Sequence, residues 1–583
     1  MTDGSDIRHA DAVAPLERGL AVLRAVCASP DELVRPGDLA RATGLARSTV
    51  DRVLSTLIHL DYLRAEGREV SLAPRMMEFG NAYLAAVGLP EALEPLAIRL
   101  ADELDESVSV AVPDRDGARF VIQVTRRRTM SLAFRIGDLL PAERCAPGAL
   151  FAPQWSAGQR ARWSVRLAGT NTGIAFPELP ALPGQLTPQQ VEVGFDERIA
   201  AAEQAGWALD DQLIEPGLIA VAVPIRQGPG GGRVVCAVSV VSHTSRHSAE
   251  SLRDHALPRL QKTAQLMEAA LRETAPQETA LRAVVLSEGP GTSRTDGYPH
   301  VPGTPLSDPK QELGPNYLRS LARGLAVLAA LGGDGRGSRG GSSMTLSAVA
   351  EATGLPRATA RRALITLRQE GYAEHADAEG RLFALLPSVL ELGYAKVSSR
   401  SVEELVRPHL VRLTGQVRES ASVAVLCGPD ISYVARVATS RIMQVAITVG
   451  TRFPAYATSM GRVLLAAFPE PEREARIAAM DLKPLTRFTV TDPRALAAIL
   501  RDVHEDGYAL VDQELEEGLR SMAAPVRDGR GRVVAAVNVS MHAGLDDDPD
   551  RAREAMLPAL TEAAARISAD LAAMGGRLDL GAL

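Results

Sequence analysis

The sequence predicts an α+β protein in which one unit, a winged helix-turn-helix followed by a larger α+β region, is written twice. Three observations carry this reading. The stretch "LARATGLARSTVDRVLSTL" from Leu39 returns as "VAEATGLPRATARRALITL" from Val349. Its neighbours return in the same order: "LERGLAVL" at Leu16 with "LARGLAVL" at Leu321, "EPLAIRLADELDESVSVAV" at Glu94 with "RPHLVRLTGQVRESASVAV" at Arg407, and "RVVCAVSVVSH" at Arg233 with "RVVAAVNVSMH" at Arg532. Within each copy the apolar spacing passes from a helical to an alternating period, so the repeat is a tandem duplication of a unit of roughly 260 residues.

The elements of a unit follow in order. Leu16, Leu20 and Leu23 recur at helical spacing and mark a first helix. "PGDLARATGL" is a short second helix stopped by Gly44, since glycine accepts the left-handed backbone that ends a helix. Val50, Val53, Leu54 and Leu57 give a third helix one buried face. "REVSLAP" at Arg68 and "GRLFALLP" at Gly380 then alternate as the strand of a hairpin wing. The expected boundaries are 12–80 for the first winged helix, 81–275 for its α+β region, 316–392 for the second winged helix and 393–575 for its α+β region. Between the copies, 276–315 is rich in Pro, Gly, Ser and Thr and reads as a flexible linker spanning roughly 35 Å. "GGDGRGSRGGSS" at Gly332 reads as a loop between the first two helices of copy two.

Composition sets limits on function. At 583 residues, 46% hydrophobic and 23% charged, the chain is globular material with more than one core. A net charge of −7 gives no global sign of nucleic-acid binding, so a DNA site must come from a local patch. Lysine is confined to Lys262, Lys310, Lys396 and Lys483, and arginine carries the rest of the positive charge. No run of about eighteen apolar residues occurs, and "MTDGSDIRHADAV" lacks the basic start and apolar core of a signal peptide. The expectation is a cytoplasmic chain without membrane contact. Cys27, Cys145, Cys236 and Cys427 show no CxxC spacing, so neither a zinc site nor a disulfide framework is expected, nor any other cofactor.

With the apolar face of the third helix turned to the core, Arg47, Ser48, Thr49, Asp51 and Arg52 lie at its start or on its outer face. Copy two places Arg357, Ala358, Thr359, Arg361 and Arg362 there. Recognition helices read bases with their first turns, where arginine can bond guanine through two atoms and hydroxyls can reach phosphates. The candidate DNA-binding residues are therefore Arg47, Ser48, Thr49, Arg52, Arg357, Thr359, Arg361 and Arg362. Copy two, with Arg361 in place of Asp51, is expected to bind more strongly and to read a different half-site.

These residues resemble a known family. "LERGLAVL" followed by "LARATGLARSTVDRVLSTLIHLDYL" is similar to the N-terminal winged helix of IclR-type bacterial transcription regulators, and the resemblance extends over both copies. In copy two, "VGTRFPAYATSMGRVLLAAF" at Val449 and "DQELEEGLRSMAAPVRDGRGRVVAAVNVSMHA" at Asp512 resemble the branch that controls protocatechuate, 4-hydroxybenzoate and β-ketoadipate catabolism. The resemblance implies that each α+β region is a GAF-like effector domain with a central antiparallel sheet and a pocket on one face. It also implies a double-stranded DNA operator, a small carboxylic acid effector, RNA polymerase as a further partner, and pairing of winged helices in a homo-oligomer or within one chain.

Carried over by the resemblance, the effector candidates are Thr458, Ser459, Met460 and Gly461 in a loop before a helix, Ser521 from "GLRS", and Asn538 and Ser540 at same-face strand positions. Hydroxyls and free N–H groups at a helix start suit a carboxylate. Asp512 and Arg520 lie beside this segment, and Arg520 could pair with an acid, although strict alternation turns it away from the face of Ser521. Copy one has Cys145, Ala146 and Pro147 for Thr458, Ser459 and Met460, and Ile219 and Ala220 for Arg520 and Ser521. Ser239 survives opposite Asn538, and Val241 replaces Ser540. Its pocket is expected to be degenerate, taking a less polar ligand or none.

Two alternatives stand beside this reading. An enzyme would need partners for Cys145, and none can be assigned; His243 and His247 have i, i+4 spacing without a third ligand. A DNA-independent scaffold sits poorly with Arg47, Ser48, Thr49 and Arg52 in copy one. Duplication has a geometric rationale: two winged helices on one chain can supply both recognition helices of a dimeric reader at high effective concentration.

Overall fold

Helix caps, apolar faces and strand registers can be followed in a computed structural model, which describes residues 13–126, 134–169, 176, 179–180, 187–228, 232–274, 314–332, 343–439, 447–543 and 548–575. The linker expected over 276–315, apart from its last two residues, and the insert beyond Gly332 lie outside them. The chain divides into two bodies, and the division does not fall between the copies. One body holds the first copy together with the second winged helix, through Ser398; the other begins at Ser399 and holds the second α+β region.

In the first winged helix, α1 (Ala14–Ala28) packs on α2 (Pro36–Thr43) and α3 (Arg47–His59), with Leu16, Leu20 and Leu23 buried. Gly44 ends α2 with φ +68°. Val50, Val53, Leu54 and Leu57 form the buried face of α3, each contributing about 1.5–3 kcal/mol of apolar burial. The wing is the hairpin of β1 (Leu63–Glu66) and β2 (Glu69–Leu72). From it α4 (Met77–Val87) and α5 (Leu89–Leu104) lead into the first α+β region.

There β3 (Ser107–Asp114), β4 (Gly117–Val124), β5 (Leu139–Pro141), β6 (Ala208–Asp211), β7 (Leu218–Gln227) and β8 (Arg233–His243) form an antiparallel sheet in the order β5-β4-β3-β8-β7-β6. One face carries α5 and α9 (Ala249–Thr274). The other carries α6 (Ala146–Phe151) and α8 (Pro188–Ala205), with α7 (Ala157–Leu167) adding Trp163 to the same core.

The second winged helix repeats the first as α10 (Arg319–Ala330), α11 (Leu346–Thr353) and α12 (Arg357–Gln369). Its wing gains a strand: β9 (Ser343–Thr345), β10 (Ala373–His375) and β11 (Leu382–Leu385) pair in the order β10-β11-β9. A short helix, α13 (Tyr394–Ser398), follows. The two winged helices are joined by equivalent contacts in both directions. A Cβ on Gly19 would stand 2.3 Å from Leu321, and one on Gly324 would stand 2.5 Å from Leu16, so α1 and α10 meet through paired glycines. The Leu318 N–H donates to Thr56 Oγ1 and the Val13 N–H to Thr366 Oγ1, both at 2.9 Å. This reciprocity is the mark of a two-fold, isologous interface.

The second body repeats the α+β region. β12 (Ser420–Cys427), β13 (Asp430–Val437), β14 (Arg452–Pro454), β15 (Ala509–Asp512), β16 (Leu519–Arg527) and β17 (Val533–His542) are ordered β14-β13-β12-β17-β16-β15. The helices α14 (Val402–Val417) and α18 (Pro549–Ala573) cover one face, joined by a buried His409 Nε2 to Asp570 Oδ2 contact of 2.6 Å. On the other lie α15 (Ser459–Ala466), α16 (Glu470–Ala478) and α17 (Pro493–Asp506). Among the described residues no helix is long and apolar enough to cross a membrane.

Candidate nucleic-acid interface and effector site

The outer faces of α3 and α12 differ in what their arginines do. On α3, Arg47 Nε donates to Asp51 Oδ1 at 3.1 Å within the helix, and Arg52 Nε donates to the Pro315 carbonyl at 3.1 Å. Ser48 is exposed and Thr49 half-buried. On α12, Arg357, Arg361 and Arg362 are exposed and engage no partner among the described residues, with Ala358 exposed and Thr359 half-buried between them. Neither helix has a side-chain cap: Ala46 and Pro356 precede the first turns, their carbonyls accept from the Thr49 and Thr359 N–H groups, and the N–H groups ahead of these stand beside the arginines without a capping side chain. An anion such as a phosphate fits that arrangement.

In the second α+β region, cross-strand register gathers polar side chains on the face that α15 covers. One row runs Arg436, Ser422, Asn538, Ala523 across β13, β12, β17 and β16; the next runs Ser420, Ser540, Ser521. Ser459, buried at the start of α15, donates to Ser521 Oγ at 2.9 Å. Asn538 Nδ2 donates to Ser540 Oγ at 2.9 Å, while its buried Oδ1 has no partner among the described residues. Burial pushes the half-buried Arg436 guanidinium below its ordinary value, with Tyr433 acting the opposite way. A cation held partly out of water beside hydroxyls and an amide can bind a carboxylate through charge-assisted bonds.

Several sequence expectations change here. Thr458 caps α15: its Oγ1 accepts from the Gly461 N–H at 3.1 Å and donates to the Ala455 carbonyl at 3.3 Å. Ser459, Met460 and Gly461 stand within the helix, not in a loop. Met460 packs in the core, and Gly461 lies so close to the Ala455 carbonyl that a Cβ would sit 2.1 Å from its oxygen. Arg520 lies on the opposite face of the sheet from Ser521, paired with its cross-strand neighbour Asp512 at 2.9 and 3.2 Å. Strand alternation thus removes both Arg520 and Asp512 from the polar rows. Ser521, Asn538 and Ser540 are brought together with Ser459.

Sequence reasoning missed Arg436. A bulge in β13 at Val434 lets Tyr433 and Arg436, three residues apart, share one face. Strict alternation would separate them, so only the register exposes the arginine.

The first region is not stripped of polarity. Its equivalent row is Gln123, Ser109, Ser239, Ala222, and Asp210 on β6 occupies the place of Val511. The pocket described in sequence terms as degenerate has lost its arginine and keeps hydrogen-bonding groups. Burial pushes the Cys145 thiol well up, which disfavours the thiolate an enzyme would need. His243 Nδ1 contacts Ser245, whereas His247 turns to Ser251 and Glu106. Among the described residues no group of three or more His, Cys, Asp or Glu side chains could hold a metal ion.

Comparison with known proteins agrees with the repeat. The IclR helix-turn-helix domain matches residues 15–67 and 320–377, and the bacterial transcriptional regulator IclR C-terminal domain matches 184–269 and 394–569. The chain is similar to the Pca regulon regulatory protein of Pseudomonas putida, at 44% identity over 231 residues, covering 40% of this chain and 76% of that protein. It is similar to the p-hydroxybenzoate hydroxylase transcriptional activator of Acinetobacter baylyi, at 32% identity over 228 residues, covering 38% of this chain and 81% of that protein. A crystal structure of a transcriptional regulator from Rhodococcus sp. RHA1 is 49% identical, covers 44% of this chain and 99% of its own, and gives a TM-score of 0.38. The matched segments span more than half of the sequence and recur in the same order. The chain belongs to the IclR family of bacterial transcriptional regulators and carries the family's two domains twice.

Proposed function

We propose that this regulator reads DNA as a pseudo-dimer formed within one chain and senses a small carboxylic acid in its second effector domain. Arg436, beside Ser422 and Asn538 and next to the row of Ser420, Ser540 and Ser521, carries the effector assignment: it is the cation that an acid needs on a face otherwise lined by hydroxyls. The p-hydroxybenzoate in the name of the Acinetobacter relative supports an aromatic acid, and protocatechuate, 4-hydroxybenzoate and the aliphatic β-ketoadipate are the compounds to try. The effector set is Arg436, Ser422, Ser459, Ser521, Asn538 and Ser540.

The two recognition helices serve different half-sites about one duplex turn apart. Ser48, Thr49, Arg47 and Arg52 serve one, and Thr359, Arg357, Arg361 and Arg362 the other. The functional segments are 12–80, 81–275, 316–392 and 393–575, joined by a linker over 276–315. Acid binding shifts the affinity of the reading head or its contacts with RNA polymerase in the cytoplasm; a coupling of about 1–3 kcal/mol gives a five- to 150-fold change. A footprint on the DNA flanking the protein's own gene tests the reading, with protocatechuate and β-ketoadipate and with an Arg361→Ala, Arg362→Ala variant. A two-half-site footprint that the variant loses on one side and an acid alters supports it. No protection at low salt, where phosphate contacts are strongest, counts against it.

A further inference from the structure

In the first effector domain, Gln123, Ser109 and Ser239 lie in cross-strand register on three adjacent strands, β4, β3 and β8. Ser109 and Ser239 are 0% and 2% exposed. Among the described residues neither hydroxyl has a hydrogen-bond partner, and neither amide atom of Gln123 has one. A protein interior pairs its buried polar groups, because each one left alone has lost water and gained nothing in return. Four such atoms in one continuous row therefore point to a missing partner. The row faces the same side of the sheet as Ala111, Ala222 and Ala237, which pack beneath α6. These small side chains keep the floor low around the polar row.

We infer that the first effector domain binds an uncharged organic ligand of the amide or alcohol class at Gln123, Ser109 and Ser239, and rejects the carboxylates. The exchange with the second domain is chemically specific. Register places Gln123 where Arg436 stands, so a fixed cation is replaced by a group that both donates and accepts. Asp210 stands where Val511 stands, and its buried Oδ2 has no hydrogen-bond partner among the described residues. A ligand arriving here meets a buried carboxyl group where the second domain has an aliphatic side chain, and no arginine in the polar row itself. Arg144 and Arg198 approach Asp210, and both direct hydrogen bonds to main-chain carbonyls: Arg144 to Leu213, Ile214 and Pro180, Arg198 to Glu143. An amide or hydroxyl ligand can satisfy the row in both directions without bringing charge.

The inference goes beyond the acid-sensing assignment and is tested separately from it. Calorimetry of the full chain uses 4-hydroxybenzamide as the uncharged probe and 4-hydroxybenzoate as the acid. The amide should bind once per chain, weaken at least tenfold in Gln123→Leu with Ser239→Ala, and be unaffected by Arg436→Gln. Ser239→Ala alone, with matched melting behaviour, guards against misfolding and should weaken the amide to a lesser degree. Gln123→Arg with Asp210→Val should add one acid site per chain. Absence of saturable amide binding, its persistence in the Gln123→Leu, Ser239→Ala chain, or acid binding in the unaltered first domain overturns the inference. Loss of the 4-hydroxybenzoate heat from the second domain alone bears only on the acid assignment.

Discussion

Arg115, at the turn between β3 and β4 of the first effector domain, holds Glu391 of the second winged helix through both terminal nitrogens, at 2.7 and 3.3 Å. Glu391 also accepts from Tyr372 Oη at 2.7 Å, and Tyr372 Oη in turn accepts from Arg24 of the first winged helix at 3.2 Å. Arg24 completes the chain with Glu370 at 2.7 Å. One effector domain and both winged helices thus share a polar network, which links the second winged helix to the first effector domain.

Glu391→Gln tests that network. Burial would raise the Glu391 carboxyl, but Arg115, Arg119 and Tyr372 hold it below the ordinary glutamate value. The stabilisation is therefore present above the unfolded value and is lost as pH falls through the folded one. The variant should lose about 1–3 kcal/mol at neutral pH, and its deficit should shrink below about pH 4. Urea denaturation at both pH values checks this. A deficit that stays the same in acid would mean that charge is not what holds the pair.

Asp210 gives the opposite pH dependence. Burial pushes its carboxyl from 3.8 up to about 7, with Asp211 adding to the rise while the Leu213 N–H, Arg198 and Arg144 pull it down. Glu143 and the Cys145 thiol stand in the same surroundings. The folded chain keeps a proton that the unfolded chain has released, so this contribution is complete below 3.8 and is lost as pH rises through about 7. Asp210→Asn should gain on the natural protein across that window, by on the order of 3 kcal/mol above pH 7. Chemical denaturation at intervals between about pH 4 and pH 8 measures the difference, and a flat difference would refute the shift.

The paired glycines of α1 and α10 can be probed by adding the missing carbon. Gly19→Val would drive a side chain into Leu321, and Gly324→Val one into Leu16. Each should cost about 1–3 kcal/mol by overpacking. Leu321→Ala should restore much of the loss in Gly19→Val and none of it in Gly324→Val. Footprinting of the same variants should show the two half-sites losing protection together, since the contact sets the placement of both recognition helices. Loss at one half-site alone would argue that each winged helix binds independently.

Local physics made much of this fold readable. Val50, Val53, Leu54 and Leu57 announce the buried face of α3, and Gly44 announces its turn, because helical period and left-handed φ act within a few residues. The repeat made the winged helices and the two effector domains legible as pairs. The repeat left pairing of the winged helices open between two chains and one: the grouping of the second winged helix with the first copy depends on contacts such as Leu16 with Gly324, which no local pattern encodes. In the second effector domain, alternation puts Asn538 and Ser540 on one face and turns Arg520 away from Ser521, as the register has it; Ser521 itself came from the resemblance. Alternation failed at Arg436, because one inserted residue reverses every face beyond it.

Arg436 and Arg520 therefore make the sharpest comparison available in the second effector domain. Both are arginines on the same sheet, and they occupy opposite faces. Arg520 is 3% exposed and already paired with the half-buried Asp512, so its replacement removes the buried partner of that ion pair. Arg520→Gln should lower stability by about 2–4 kcal/mol while changing acid affinity little at temperatures where the chain remains folded. Arg436 engages no hydrogen-bonding partner among the described residues and is held partly out of water beside Ser422. Arg436→Gln should leave the melting temperature nearly unchanged, or raise it, and weaken acid binding by about 1.5–3 kcal/mol, roughly ten- to 150-fold. Calorimetry and thermal melts on the two variants give four numbers. If Arg520→Gln abolishes acid binding in a folded chain and Arg436→Gln does not, the acid binds on the other face of the sheet, and the row of Ser422 and Asn538 is not its site.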